Sequence, residues 1–227
     1  MMTFQKFNMT AVLGVALAMS FTAGIAPAAT ITPVSATSPF VYFTFSPGDV
    51  RSPGRTIDSS GLNGFGEHVA TLGDPQAWLA DAAYYGLAAG PTIVWDLGQI
   101  YDLTSMHIWN YNETARTEEG IKDVNVFVSN DNSTFSAVGL YSLTSAPGLD
   151  TYTGDNYSLV TSGRYVKFDV VSTQNPSPFG PHAGLSEIRF EGSAVADTPE
   201  PSTFLLAGLS FGLAWCVISM KRAAVRS

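Results

Sequence analysis

The sequence predicts an all-β, antiparallel sandwich flanked by two export segments, on three observations. Between Phe40 and Glu191, short runs of alternating apolar and polar residues are separated by clusters of Gly, Asn, Asp, Ser and Pro, the spacing of a sandwich or barrel. No window in that interval carries an apolar repeat of helical period. The two long apolar runs, Ala11 to Ala29 and Phe204 to Met220, lie outside it. Of the 227 residues, 45% are apolar and 13% charged, against roughly 25% charged in an ordinary soluble domain. Setting the two runs aside leaves about 170 residues, enough for one domain that buries roughly 70% of its unfolded surface.

The N-terminal segment, 1–29, reads as a secretory signal peptide. Lys6 precedes the apolar stretch, which ends in the small residues Ala26-Pro27-Ala28-Ala29, and the stretch is short for a membrane span. The domain, 30–193, follows. Its expected strands are Phe40 to Phe45, Thr92 to Leu97, Thr104 to Tyr111, Asp123 to Ser129, Tyr157 to Val160, Arg164 to Val170 and Leu185 to Glu191. Period-two patterning sets Val124, Val126 and Val128 against Asn125 and Phe127. It likewise sets Val166, Phe168 and Val170 against Tyr165, Lys167 and Asp169, and Ile188 and Phe190 against Glu187, Arg189 and Glu191, so one face of each strand looks inward. Ser129 to Ser133 and Asn175-Pro176-Ser177-Pro178 are turn chemistry. The glycine-rich Gly61 to Gly66 reads as an open, flexible loop.

At the C-terminal end, a linker with Pro199-Glu200-Pro201 (194–203) leads into 17 uncharged residues, Phe204 to Met220, and a basic tail, 221–227, with Lys221, Arg222 and Arg226. A minimal span with a positive flank predicts one transmembrane helix. These parts in this order resemble the PEP-CTERM sorting tail of Gram-negative bacteria. The resemblance implies an inner-membrane intermediate, cleavage by an exosortase-type transpeptidase, and release to the cell surface or extracellular matrix. The two prolines hold the motif extended, presenting its backbone to a processing enzyme as a helix could not.

Composition excludes several classes. Net charge is −8, and the cations between the runs (Arg51, Arg55, Arg116, Lys122, Arg164, Lys167 and Arg189) are scattered, so a nucleic-acid partner is not expected. The lone Cys216 lies within the C-terminal run and excludes an internal disulfide framework. No nucleophile elbow, zinc helix, phosphate loop or dinucleotide fingerprint is present. His68, His107 and His182 lack ligand spacing and read as solvated or strand-surface imidazoles. No two carboxylates are paired as a hydrolase requires, so no enzyme is expected.

Six blocks of the domain resemble, in order, the discoidin (coagulation factor 5/8 type C) family, the galactose-binding-like sandwich shared with family 32 carbohydrate-binding modules. They are Val94 to Gly98, Ile108 to Glu113, Gly120 to Val124, Val128 to Asp131, Gly163 to Phe168 and Gly184 to Phe190. The resemblance implies a carbohydrate partner, and the Asn110 to Gly120 connection carries side chains suited to one. Tyr111 supplies a flat ring, with Asn112, Glu113 and Arg116 for hydroxyl pairs. Trp78, His68 and Phe179 are available from other loops. Alternatively, Tyr111 ends a strand and Arg116 pairs with Glu118 or Glu119. The resemblance also implies calcium, held by oxygens from the loop before the tryptophan and from the last strand. Asp74 and Glu187 match those positions, with a backbone carbonyl near Ala183, but Ala77 stands where the family often has Thr. Alternatively, Glu187 pairs with Arg189 or Lys167 and Asp74 caps a turn. A structural or adhesive matrix protein without glycan binding is the alternative function.

Overall fold

A computed structural model describes residues 28–43, 50–71, 76–80, 90–175 and 182–195. The expected signal peptide (but for Ala28 and Ala29), Asp74, the turn at 176–178, Phe179, the Pro199-Glu200-Pro201 motif, the 204–220 span and Cys216 lie outside the described residues. Among the described residues no helix is long and apolar enough to cross a membrane.

Among the described residues ten strands run in chain order: β1 Ala29–Ile31, β2 Ser35–Thr37, β3 Tyr42–Phe43, β4 Val50–Arg51, β5 Trp78–Ala80, β6 Thr92–Asn110, β7 Ile121–Ser129, β8 Ser136–Ser142, β9 Asp155–Thr173 and β10 Ala183–Ala194. All pairings between them are antiparallel. The main sheet has the order β1-β10-β6-β9-β7-β8, with β2 added to β6 and β5 to β10, while β3 and β4 form a separate ribbon.

The two 19-residue strands make the sandwich by serving both layers. Through Thr92 to Asp96, β6 pairs with β2 and with Tyr165 to Asp169 of β9; from Tyr101 onward it pairs with β10 and with Asp155 to Gly163. Between the halves the register breaks at Gly98, whose φ of 89° is left-handed and costs glycine nothing. Arg164 fixes this bend from β9 by a two-pronged bond to Asp96, Nε to Oδ1 and Nη2 to Oδ2, both 2.8 Å. That bond holds the Asp96 carboxyl below its usual range.

Residues from both layers share one core, including Ile93, Trp95, Met106, Ile108, Val124, Val126, Val166, Phe168, Ile188 and Phe190. Trp95 lies at its centre. Its indole packs edge-on to Phe168 at 4.8 Å between centroids and donates Nε1–H to Thr56 Oγ1 at 2.8 Å, so the buried polar atom is satisfied.

The inward faces expected for the strands at 123–129 and 164–170 are those observed. Expected strands at 92–97 and 104–111 are parts of the single bent β6, and those at 157–160 and 164–170 are parts of β9. The face of β10 expected to look outward is corrected: Glu187 and Arg189 are buried beneath the segment running from the 3₁₀ turn Pro53–Thr56 to Gly66. Gly61 to Gly66 is likewise not an open loop. Asn63 Oδ1 accepts the N–H groups of Phe65 (2.8 Å) and Glu67 (3.1 Å), Leu62 bridges His68, and Trp109 Nε1 donates to Gly66 O at 3.0 Å.

Candidate functional site

β6 and β10 define two poles. Tyr101 stands opposite Ala194 at one pole and Asn110 opposite Leu185 at the other, nine residue steps or roughly 30 Å away. β1 pairs with the end of β10, so both ends of the domain leave from the first pole. The connection following Asn110 sits at the second.

That connection is built from the strand end inward. Asn110 is buried and spends its amide on backbone: Nδ2 donates to Ile121 O and Thr144 O, and Oδ1 accepts from Tyr111 N and Ile121 N. Tyr111 turns inward because Gly184 leaves room for the ring; a Cβ on Gly184 would come within 2.4 Å of Tyr111 Cδ2. The Tyr111 hydroxyl donates to Glu113 Oε2 at 2.5 Å, and the Arg51 guanidinium donates to both groups. Burial, against the lowering charge of Arg51, pushes the Tyr111 phenol well above its ordinary range.

Asn112 is fully buried. Its Nδ2 donates to His68 O and Leu149 O, both 2.9 Å, and its Oδ1 accepts from Gly148 N at 2.9 Å. The segment beyond turns sharply at Ala115, φ 59°.

These contacts correct part of the expected sugar site. Tyr111 is 1% exposed and offers no face to a ligand. Asn112 is consumed by backbone groups. Trp78 is buried in the core and donates Nε1–H to Phe40 O at 3.0 Å. Arg116 is half-buried at the turn, its own N–H bonded to Glu113 O at 3.0 Å, and does not line the cleft described next. His68 and His182, expected at the surface, are both buried.

What the structure does bring together is a small, shallow cleft of about 10 Å³ lined by His68, Val69, Thr71, Gln76, Ala77, Glu113 and Ser186. Of the expected residues that fall among the described ones, only Glu113 and His68 are here. Gln76 adds a buried Oε1 without a hydrogen-bond partner among the described residues, and Ser186 Oγ accepts the Asn112 N–H at 3.1 Å. Glu113 is paired with the Arg51 guanidinium behind the cleft lining. Three residues before His68, on the turn that Asn63 closes, Phe65 is 88% exposed. Arg51, Phe65, Gln76 and Ser186 were not found by sequence reasoning. A lone arginine 60 residues from its partner carries no local signal, whereas Asn63-Gly64 beside Phe65 was a legible turn.

Of the side chains expected to hold calcium only Glu187 falls among the described residues. Asp74 lies outside the described residues, and no group of three or more His, Cys, Asp or Glu assembles among them. Glu187 is fully buried, with Oε1 bonded by the Arg189 guanidinium and Oε2 without a side-chain hydrogen-bond partner among the described residues. Burial pushes its carboxyl up to about 7, the Arg189 charge and the Ser59 backbone pulling down and the Asp58 charge adding to the rise. One of the two Glu187 oxygens expected to receive a cation is thus already engaged by one.

No protein-family model and no curated protein matches the chain. Similar solved structures are family 32 carbohydrate-binding modules. One, from the NanJ protein of Clostridium perfringens in complex with galactose, is 12% identical over 72% of this chain and 98% of its own, with a TM-score of 0.48. The module CpGH89CBM32-5 of the same organism, in complex with GalNAc-β-1,3-galactose, is 14% identical over 69% and 93%, TM-score 0.48. A family 89 glycoside hydrolase from Clostridium perfringens is 17% identical, TM-score 0.46; the match covers 73% of this chain and 15% of the hydrolase. These values assign no residue, ligand or activity to the present chain.

Proposed function

We propose that this chain is an exported bacterial protein whose discoidin-like sandwich binds a neutral carbohydrate in the cleft at the pole away from its termini, and that it is not an enzyme. In this reading the Pro199-Glu200-Pro201 tail is a sorting signal, held in the inner membrane until an exosortase-type transpeptidase releases the domain to the cell surface or matrix. The observation that carries the binding assignment is the convergence of a carboxylate (Glu113), an imidazole (His68), a carboxamide (Gln76) and two hydroxyls (Thr71 and Ser186) on one cleft. Those are the planar and hydroxylic groups that pair with sugar hydroxyls. The unpartnered Oε1 of Gln76 is an acceptor awaiting a donor. The ring face that Tyr111 cannot give is supplied in this reading by Phe65, whose tight turn holds an exposed aromatic at little entropic cost on binding. A paired Glu113 on a chain of net charge −8 favours a neutral ring over an anionic one. Among the described residues Glu113 is the only carboxylate lining this cleft, where glycoside hydrolysis needs two.

A glycan array probed with the purified chain, followed by titration of the best ligand, tests this. The expected outcome is saturable binding to a neutral glycan that Phe65→Ala weakens about three- to tenfold, with the melting temperature unchanged because the side chain is in solvent. Binding to no glycan favours the structural or adhesive alternative.

A further inference from the structure

We propose that the Arg189 guanidinium is a resident cation standing where this fold family holds calcium, so that the domain folds without metal. Three kinds of oxygen meet it. Nη1 donates to the Glu187 carboxylate and to the Ile188 carbonyl (2.7 Å), and Nη2 donates to the Ser59 hydroxyl at 2.6 Å. Carboxylate, backbone carbonyl and neutral oxygen are the donor types that calcium gathers from different segments. Here the rigid fork of an arginine gathers them.

The mechanical result matches what an ion would achieve. Glu187 and Arg189 stand two residues apart on the same face of β10, and Ser59 belongs to the segment covering that face, so the guanidinium ties the covering segment to the last strand. Ser59 has φ 60°, a left-handed conformation that a non-glycine residue holds only when its surroundings fix it; the bond from Arg189 does so.

Charge excludes a second cation. Among the described residues the negative groups are Glu187 and, near enough for its field to be felt there, Asp58, which is itself bonded by Arg55 at 3.2 Å and by Ser60 N–H at 2.9 Å. Arg189 offsets the buried carboxylate. A calcium ion beside it would set three positive charges against two negative in a site removed from water, where uncompensated charge is costly.

The test compares the purified full chain with Arg189→Met, which keeps much of the stem and removes the charge. For the parent, calorimetric titration with calcium should show no saturable heat, and its melting temperature should be the same in EDTA and in millimolar calcium. Arg189→Met should melt lower than the parent in EDTA and recover several degrees on adding calcium, because an ion can now reach the vacated oxygens. If the variant folds only when calcium is present, that counts equally in favour. Saturable calcium binding by the parent overturns the proposal. So does an Arg189→Met chain that is indifferent to calcium, or unfolded with and without it.

Discussion

Replacing Arg51 by Met is expected to destabilise the protein by about 3–5 kcal/mol, the cost of leaving one partner of a buried ion pair without the other. The Glu113 side chain is 9% exposed, so water cannot take over from the guanidinium. The Tyr111 hydroxyl, which donates to Glu113 Oε2, would face the charge left behind. The discriminating feature is the double variant. Arg51→Met with Glu113→Gln removes both charges while leaving Tyr111 a neutral acceptor, and should be more stable than Arg51→Met alone. Urea midpoints at constant slope give all three values. An Arg51→Met midpoint equal to that of the parent would show that the pair is not what holds Tyr111 inward.

Asn112→Ala should be comparably severe, at about 3 kcal/mol or more. The side chain lies against backbone, and its removal strands the carbonyls of His68 and Leu149 and the N–H of Gly148 together. Each buried polar group left without a partner costs about 1–3 kcal/mol. Asn112→Asp is no rescue, because it keeps the acceptor for Gly148 but turns a carboxylate oxygen toward two carbonyl oxygens. Thermal unfolding of both variants checks this. A near-parental Asn112→Ala would mean that the residue is free to serve a ligand, as its sequence context first suggested.

How far the sequence could be read depends on whether a residue's partner is local. Val124, Val126 and Val128, or Val166, Phe168 and Val170, announce a buried face because period two acts within the strand itself. β8 was missed because neither of its faces is buried deeply enough to pattern Ser136 to Ser142. The bends that join short runs into β6 and β9 depend on pairing with distant strands, though Gly98 marks one of them. In the candidate site, the residue types between Asn110 and Glu113 were legible, but their direction was not. Whether Tyr111 faces water or core is decided by Gly184, 73 positions later, and by Arg51, 60 positions earlier. By contrast, the spacing of Glu187 and Arg189 put both on one face of a strand, so their pairing was foreseeable as an alternative to metal binding.

The most direct measurement of the central claim is amide chemical-shift mapping of the purified chain titrated with the best neutral ligand from a glycan array. The proposed function predicts saturable shifts at Phe65, His68, Thr71, Gln76, Glu113 and Ser186, and none at the opposite pole around Gly98 to Ile100, where both ends of the domain depart. Shifts gathered at that pole, or on the outer face of β7 and β8 with the cleft residues unmoved, would contradict it.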